Sequence, residues 1–244
     1  MSAYSRLELP VYLGSVQMET LPLTGLSLKR SVVTRLFRYS VTLDRLNWTA
    51  RWAETVQSGE WCPIFETREQ MYVHINNSLE HGSPIDYLEF GVAAGDSLKS
   101  WCGIHSNPKS RFYGFDSFHG LPAEWKKGRP KGYFSTDGKP PEIDDPRVVF
   151  VPGLFQHSLP EFLASYQQAS RIIIHNDSDL YSSTLFCLTT LDKLIVKDTI
   201  IIFDEFYDAL HEYRALSDYC EAFQHSYRIV AATMRFNQVA VQVS

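Results

Sequence analysis

The hydrophobic positions along the chain follow two different patterns, one before and one after residue 85. Residues 27–56 carry Leu, Arg, Val and Trp at roughly helical spacing, and residues 66–79 show a second helical pattern. The Pro- and Gly-containing residues 21–26 predict a loop. Because strand patterns are scarce here, residues 1–84 are predicted to form a mainly helical N-terminal extension.

From residue 85 onward, short apolar runs alternate with helix-like segments. The apolar runs are residues 85–90, 111–116, 147–153, 171–177 and 198–206, and the helix-like segments between them include residues 96–104, 158–168 and 183–195. This alternation favours βαβ units, which build a parallel sheet with helices on both faces. Residues 85–244 are therefore predicted to form one α/β domain.

The end of the chain breaks the alternation. After a further helix predicted near residues 209–224, the runs YRIVAATM and QVAVQVS are separated only by residues 235–237. Three residues are too few for a crossover connection, so the two strands are expected to form an antiparallel hairpin. The predicted fold is thus a mostly parallel sheet with a C-terminal antiparallel hairpin, unlike the plain dinucleotide-binding order.

Composition narrows the possible partners. The chain is 44% hydrophobic and 21% charged with a formal net charge of −5, which is typical of a globular domain. The negative balance does not favour nucleic acid, since phosphates require a basic surface. The apolar runs are too short to span a membrane. We therefore expect a small-molecule partner, with no nucleic acid and no membrane.

The N-terminus and the cysteines bear on location. The first residues lack a basic start followed by a long apolar run, so they do not indicate a signal peptide. The four cysteines contain no CxxC pair, and free thiols are typical of a reducing compartment. We expect a cytoplasmic protein.

A glycine-containing turn follows the first strand of the predicted sheet. Glu89 and Phe90 run into the segment GVAAGDS, in which Gly91 and Gly95 permit a tight turn and close approach of a ligand. Ser97 lies at the start of the next predicted helix, where backbone N–H groups can receive a carboxylate. Asp116, about 20 residues after the turn, can accept hydrogen bonds from the hydroxyls of a ribose.

The same turn distinguishes between two adenosine-containing cofactors. A pyrophosphate prefers the pattern GxGxxG, and Ala93 replaces the middle glycine here. S-adenosylmethionine (SAM) has no phosphate, and its α-ammonium gives Glu89 a use as acceptor. We therefore predict a SAM site, with an NAD(P)-dependent oxidoreductase and a non-catalytic SAM-binding scaffold as the alternatives.

Acidic residues cluster at the ends of two later strands. Asp177 and Asp179 follow one strand, and Asp204 and Glu205 follow the next. If these strands are neighbours, the carboxylates repel one another unless a cation lies among them, and oxygen ligands suit Mg²⁺, Mn²⁺ or Ca²⁺. Such a cation lowers the pKa of a substrate hydroxyl, and Asp179 can take its proton. The sequence thus predicts an O-methyltransferase acting on a hydroxyl of a small molecule.

Five motifs in order resemble the macrocin O-methyltransferase family: EFGVAAGDS, FYGFDSFHGLP, VPGLFQHSLP, NDSDLYSST and IIIFDEF. These are class I SAM-dependent enzymes that methylate sugar hydroxyls in natural-product biosynthesis. The resemblance covers residues 85–220 and implies a class I methyltransferase fold. Where the family usually has Asp-Asp, this chain has Asp204-Glu205.

The resemblance also implies roles for individual residues. It implies metal ligation by Asp177, Asp204 and Glu205, with Asp179 as the general base. The cofactor contacts expected from the turn and from the resemblance are Glu89, Gly91, Val92, Gly95, Ser97, Asp116, Ser117, Gly153, Phe155 and Gln156.

Three further features leave alternatives open. The basic segment around Lys126 and Arg129 is interpreted as a solvated loop, or as a lid that favours an anionic acceptor. His175 is interpreted as a strand-end residue satisfied by hydrogen bonds, or as a ligand or base. The N-terminal helices have no evident role in SAM binding, and we expect a homodimer.

Overall fold

The computed structural model describes residues 30–58, 62–80 and 82–244. Residues 1–29, which contain the loop predicted at residues 21–26 and the start of the first predicted helix, lie outside the described residues.

The chain divides into two compact units, residues 1–46 and residues 47–244. In the first unit the described residues form helix, and the side chains of residues 38–46 are exposed. The second unit contains the sheet. None of the helices among the described residues has both the length and the apolar character needed to cross a bilayer.

The order of elements follows the alternation expected from the sequence. The described helices are α1 (Arg30–Ser58), α2 (Arg68–Ser78), α3 (Asp96–Ile104), α4 (Phe155–Ser165), α5 (Tyr181–Leu191) and α6 (Glu212–Phe223). The described strands are β1 (Ile64–Phe65), β2 (Ile85–Phe90), β3 (Arg111–Asp116), β4 (Val148–Pro152), β5 (Arg171–Asn176), β6 (Ile200–Phe203), β7 (Tyr227–Thr233) and β8 (Val239–Val243).

These strands form one eight-stranded sheet in the order β1-β7-β8-β6-β5-β2-β3-β4. The pairs β6–β8 and β7–β8 are antiparallel, and the other neighbouring pairs are parallel. The prediction of a mostly parallel sheet with a C-terminal antiparallel hairpin is confirmed.

Alternating residues of the central strands enter two cores on opposite faces of the sheet. In β5, Ile172 and Ile174 pack in one core and Ile173 in the other. Helices α4, α5 and α6 contribute to the first core, whereas α2 and α3 contribute to the second. Burial on both faces explains why these strands are continuous apolar runs rather than alternating ones.

Strand β1 is an element that the hydrophobic pattern did not predict. Ile64 and Phe65 pair in parallel with Ala232 and Thr233 of β7, at the edge of the sheet. A strand of two residues is too short to show a hydrophobic period, so the sequence pattern could not predict it.

Candidate active site

The carboxyl ends of β2, β3, β5 and β6 open into a cavity of about 890 Å³, which includes space open to solvent. Open α/β sheets bind ligands at this edge. Its wall is formed by Gly91, Ala93, Asp116, Ser117, Gly120, Leu121, Pro122, Phe134, Gly153, Leu154, Phe155, Gln156, Asp177, Ser178, Asp179, Ser183, Asp204 and Glu205.

The glycine turn after β2 lies directly against the loop after β5. Gly91 has a φ of 95°, and a Cβ added to it would lie 1.7 Å from the carbonyl oxygen of Asp177. Any other residue at this position would force the two backbones apart. The glycine therefore brings the predicted cofactor turn against the acidic cluster.

Asp116, at the end of β3, organises the same turn. Its Oδ2 accepts hydrogen bonds from the N–H groups of Val92 (2.8 Å) and Ala93 (2.9 Å). Its Oδ1 accepts one from the N–H of Phe118 (2.7 Å). A carboxylate oxygen has two lone pairs, so Oδ1 keeps the capacity to accept a further hydrogen bond from a ligand in the cavity.

Not all of the predicted cofactor residues line the cavity. Gly91, Asp116, Ser117, Gly153, Phe155 and Gln156 lie on its wall. Glu89, Val92, Gly95 and Ser97 are absent from that wall and lie in β2, the turn and the start of α3. Gly95 has a φ of 79° and caps α3.

Glu89 is a buried carboxylate with defined partners. Its Oε1 accepts a hydrogen bond from the hydroxyl of Ser97 (2.9 Å), and its Oε2 accepts one from the hydroxyl of Tyr87 (2.7 Å). Glu89 therefore lies beneath the turn and fixes the first residues of α3.

The four predicted acidic residues lie together, and His175 joins them. His175, Asp177 and Asp204 offer ligand atoms that all lie within 4.8 Å of one another, and so do Asp177, Asp179 and Glu205. Asp177 is common to both groups. Ionised carboxylates this close repel one another strongly in a buried site.

Several polar atoms in this cluster have no hydrogen-bond partner. Among the described residues, the buried atoms without a partner include Nε2 of His175, Oδ1 of Asp204 and Oε2 of Glu205. An unsatisfied buried acceptor costs about 1–3 kcal/mol, and more when it is charged. Convergent buried acceptors of this kind fit a bound cation, so the residues present suit the metal that the family resemblance implies.

Burial and mutual repulsion dominate the electrostatics of the cluster. Burial raises the pKa of Asp179 to about 7, and burial together with the charge of Asp204 raises that of Asp177 well above its usual value. Burial likewise raises the pKa of Glu205, with Asp177 adding to the effect. Without a cation, these carboxyl groups therefore keep their protons to a higher pH than exposed carboxyl groups do.

At Asp204 and His175, by contrast, neighbouring charges outweigh burial and favour the ionised form. Burial opposes ionisation of Asp204, but His175 and Arg68 outweigh burial and hold the pKa of Asp204 below its usual value. Burial also disfavours the imidazolium of His175, yet Asp204 and Glu89 raise its pKa to about 10. The Nε2 of His175 lies 3.7 Å from Oδ1 of Asp204, which is an ion-pair distance and not a hydrogen bond.

Two further residues at the site were not predicted from the sequence. Glu212, in the first turn of α6, is fully buried and accepts hydrogen bonds from the N–H groups of Ser178 (3.2 Å) and Glu205 (2.9 Å). Arg68, at the start of α2, lies 3.9 Å from Oδ2 of Asp204. No periodicity or motif indicates that these helix starts reach the acidic edge of the sheet.

The basic segment packs beside Asp179. Leu121 and Trp125 form a small apolar cluster with Leu180, the residue after Asp179. The amino group of Lys126 lies 3.4 Å from the centre of the Trp125 ring and donates to the hydroxyl of Tyr207. This segment is therefore anchored to the rim of the cavity through its aromatic and apolar side chains.

Two solved methyltransferase structures share this fold. The O-methyltransferase NovP has a TM-score of 0.57 and 20% identity over 72% of this chain and 78% of its own. The calicheamicin methyltransferase CalS11 has a TM-score of 0.56 and 21% identity over 82% of this chain and 92% of its own. At these identities the likeness establishes the fold.

The family comparison concerns the second half of the chain. The family model of macrocin-O-methyltransferase (TylF) matches residues 137–242, which contain the whole acidic cluster. No curated protein matches the chain significantly. This match confirms the resemblance for the three motifs that lie within it, VPGLFQHSLP, NDSDLYSST and IIIFDEF.

Proposed function

We propose that the protein transfers the methyl group of SAM to a hydroxyl group of a small molecule, with a divalent cation in the acidic cluster. The observation that carries the proposal is the set of buried atoms without partners, above all Oδ1 of Asp204 and Oε2 of Glu205. Asp177, Asp204 and Glu205 would hold the cation. When bound, a divalent cation lowers the pKa of a hydroxyl and fixes its oxygen.

Asp179 suits the role of general base. It lines the cavity and adopts a φ of 60°, a left-handed conformation that aspartate tolerates better than most residues. Burial raises its pKa to about 7, and a base is most effective when its pKa lies near the working pH. Asp179 would accept the proton of the acceptor hydroxyl as the oxygen attacks the methyl group.

The other half of the cavity suits the methyl donor. Asp116 offers an acceptor for ribose hydroxyls, and the turn containing Gly153 and Gln156 lies on the same wall. Gly91 allows the donor to lie close to the backbone and to Asp177. Holding the donor and acceptor in line accounts for much of the catalysis, because the transfer itself removes the sulfonium charge.

The acceptor class rests on the similar proteins. CalS11 is named as a calicheamicin methyltransferase and the matching family as macrocin-O-methyltransferase, so we propose a sugar hydroxyl of a natural product or its intermediate as the acceptor. The apolar residues Leu121, Pro122 and Phe134 line the same cavity and suit a partner with apolar surface.

The test combines cofactor binding with turnover. Calorimetry should detect binding of S-adenosylhomocysteine (SAH) and none of NADH, and radiolabelled SAM should methylate members of a panel of glycosides. A chelator should abolish turnover while SAH stays bound, and Asp177→Asn should do the same. Glu205→Asp, which keeps the carboxylate, is the matched control and should be tolerated. Full turnover in excess chelator would exclude the metal-assisted mechanism.

Assembly and location complete the proposal. We propose a homodimer in the cytoplasm, because twofold dimers are the commonest assembly among soluble oligomers. Light scattering at micromolar concentration tests the dimer, and a monomer mass would contradict it.

A further inference from the structure

A buried chain of hydrogen bonds runs from the start of α3 to the acidic cluster. The hydroxyl of Ser97 donates to Glu89, the hydroxyl of Tyr87 donates to the other oxygen of Glu89, and Tyr87 also lies 2.6 Å from Nδ1 of His175. These four side chains are at most 3% exposed. Because water does not reach these side chains, their donors and acceptors must be satisfied by one another.

The hydrogen bonds of the Tyr87 hydroxyl show that Nδ1 of His175 carries a hydrogen. Glu89, as a carboxylate, can only accept, so the single proton of the Tyr87 hydroxyl is directed to Glu89. The Tyr87 oxygen must then accept its second hydrogen bond from Nδ1–H of His175. The opposite nitrogen, Nε2, faces Asp204 and has no hydrogen-bond partner among the described residues. Without a cation, Asp204 and Glu89 favour a proton on this nitrogen too, and a bound cation would take the place of that proton.

The gap between Nε2 of His175 and Oδ1 of Asp204 is 3.7 Å. A proton shared between an imidazole and a carboxylate would draw the two atoms to about 2.7–2.9 Å. Two ligands of one small cation, each at about 2.1 Å from it, lie at most about 4.2 Å apart, so the observed gap fits a cation. Asp177 offers a carboxylate oxygen within 4.8 Å of a ligand atom of each of these two residues and is therefore placed to supply a third ligand.

We infer that His175, through Nε2, is a nitrogen ligand of the cation in the acidic cluster. This inference rests on the proposed function, because it concerns the cation placed there. A ligating histidine usually donates its other N–H to a fixed partner, and Tyr87 is that partner here.

The consequence is a preference among metals. An all-oxygen site suits Mg²⁺, Ca²⁺ and Mn²⁺, whereas an imidazole nitrogen adds affinity for divalent transition metals, in the order Mn²⁺ < Fe²⁺ < Zn²⁺, and little for Mg²⁺. The site is therefore expected to bind Mn²⁺ more tightly than Mg²⁺, by an amount that depends on His175.

The first experiment uses Mn²⁺ as the probe, with the full chain and no acceptor. Pulsed electron paramagnetic resonance of bound Mn²⁺ should show coupling to a ¹⁴N nucleus in the wild type, and His175→Gln should abolish that coupling. Calorimetric titration with Mn²⁺ and with Mg²⁺ should show the preference for Mn²⁺ falling by at least about 10-fold in His175→Gln.

A second pair of variants keeps the inference testable if His175→Gln fails to fold. Tyr87→Phe removes the hydroxyl that fixes Nδ1 and should weaken Mn²⁺ binding about 10-fold while leaving the nitrogen coupling. Tyr72→Phe is the matched control, since Tyr72 packs its ring 5.7 Å from that of His175 and its hydroxyl has no hydrogen-bond partner. Tyr72→Phe should bind Mn²⁺ as the wild type does.

The outcomes separate this inference from the proposed function. One bound Mn²⁺ without nitrogen coupling in the wild type overturns the role of His175 and leaves the cation of the proposed function in place. Coupling that persists in His175→Gln also overturns it. Failure of the wild type to bind any divalent cation overturns both.

Discussion

Buried carboxylates lie at both ends of the same sheet, and they differ in how well they are satisfied. At the amino ends of the strands, Asp86 accepts hydrogen bonds from Nε of Arg111 (2.8 Å), the hydroxyl of Tyr166 (2.6 Å) and the N–H of Ala169 (3.1 Å). At the carboxyl ends, Oδ1 of Asp204 is buried 3.7 Å from Nε2 of His175 and accepts no hydrogen bond from any residue that the structure describes.

We interpret the paired carboxylate Asp86 as serving stability and the unpaired carboxylate Asp204 as serving ligand binding. A fully paired buried charge holds the strands together, and its loss is expected to lower stability. A buried acceptor left without a partner lowers the stability of the folded state, and such groups persist where a ligand uses them. Substitutions at the two ends should therefore have opposite consequences.

The largest expected effect is on catalysis at the carboxyl end. Asp179→Asn should lower kcat by about 10²–10⁴-fold, because an amide cannot take the proton of the acceptor hydroxyl. SAH affinity, measured by calorimetry, should stay within about twofold of the wild type. A variant that loses SAH binding in proportion to turnover would show that Asp179 serves the cofactor and not the chemistry.

The same chemical change at the amino end should act on stability. Asp86→Asn presents an NH₂ group to donors on Arg111 and Tyr166, so we expect a loss of about 3 kcal/mol in the free energy of unfolding. Urea denaturation measures this loss, and the KM for SAM in the folded fraction should not change. Equal stabilities of Asp86→Asn and the wild type would remove the contrast between the two ends.

Without a divalent cation, the carboxyl end should lose stability as the pH rises. Burial raises the pKa of Asp179 to about 7 and that of Glu212 to about 8. Stability from the protonated acids is fully present below their unfolded values near 4 and is lost as the pH rises towards the folded values. Each such proton contributes a slope of about 1.4 kcal/mol per pH unit.

Thermal unfolding between pH 5 and pH 8 in chelator measures this slope. Addition of Mn²⁺ should reduce it, because the cation stabilises the ionised carboxylates. Asp179→Asn should also reduce it in chelator, as one titrating group is gone. A Tm in chelator that rises steadily with pH over this range would contradict the electrostatic account of the cluster.

The stability contributed by the amino ends of the strands should depend on pH in the opposite sense and by a smaller amount. His105 is buried between Asn76 (2.8 Å) and Ser110 (2.7 Å), and burial, aided by the charge of Arg147, lowers its pKa. Stability from the neutral ring is present above the unfolded value of about 6.5 and is lost as the pH falls.

We expect His105 to contribute a loss of less than about 1 kcal/mol between pH 6.5 and pH 5, measured as the difference between the Tm–pH curves of the wild type and His105→Gln. The variant should lack this contribution, so its Tm should exceed that of the wild type by more at pH 5 than at pH 6.5. Parallel pH curves for the variant and the wild type would show that the ring does not titrate in this way.

Most of the fold could be predicted because each central strand is buried on both faces. The run at residues 85–90 and the helix at residues 96–104 coincide with β2 and α3, since the glycine turn between them marks both boundaries. Helix α4 begins at Phe155, three residues before its predicted start at residue 158, because the chain turns at Gly153 and not at the serine.

The site was only partly visible in the sequence. Asp177 and Asp204 could be paired because parallel neighbouring strands bring their carboxyl ends together. Glu212 and Arg68 could not be assigned to the site from the sequence. Their proximity to the acidic residues depends on how helices α6 and α2 pack on the sheet, and a hydrophobic period does not predict that packing.

One side chain joins the loops that follow β5 and β6. Glu212 accepts the N–H of Ser178 with one oxygen and the N–H of Glu205 with the other, and it has no solvent exposure. An insertion or deletion in either loop would break one of these bonds and disturb the other loop. Directed evolution towards new acceptors should therefore leave both loop lengths unchanged and diversify residues 121–134, whose exposed positions are free of this constraint.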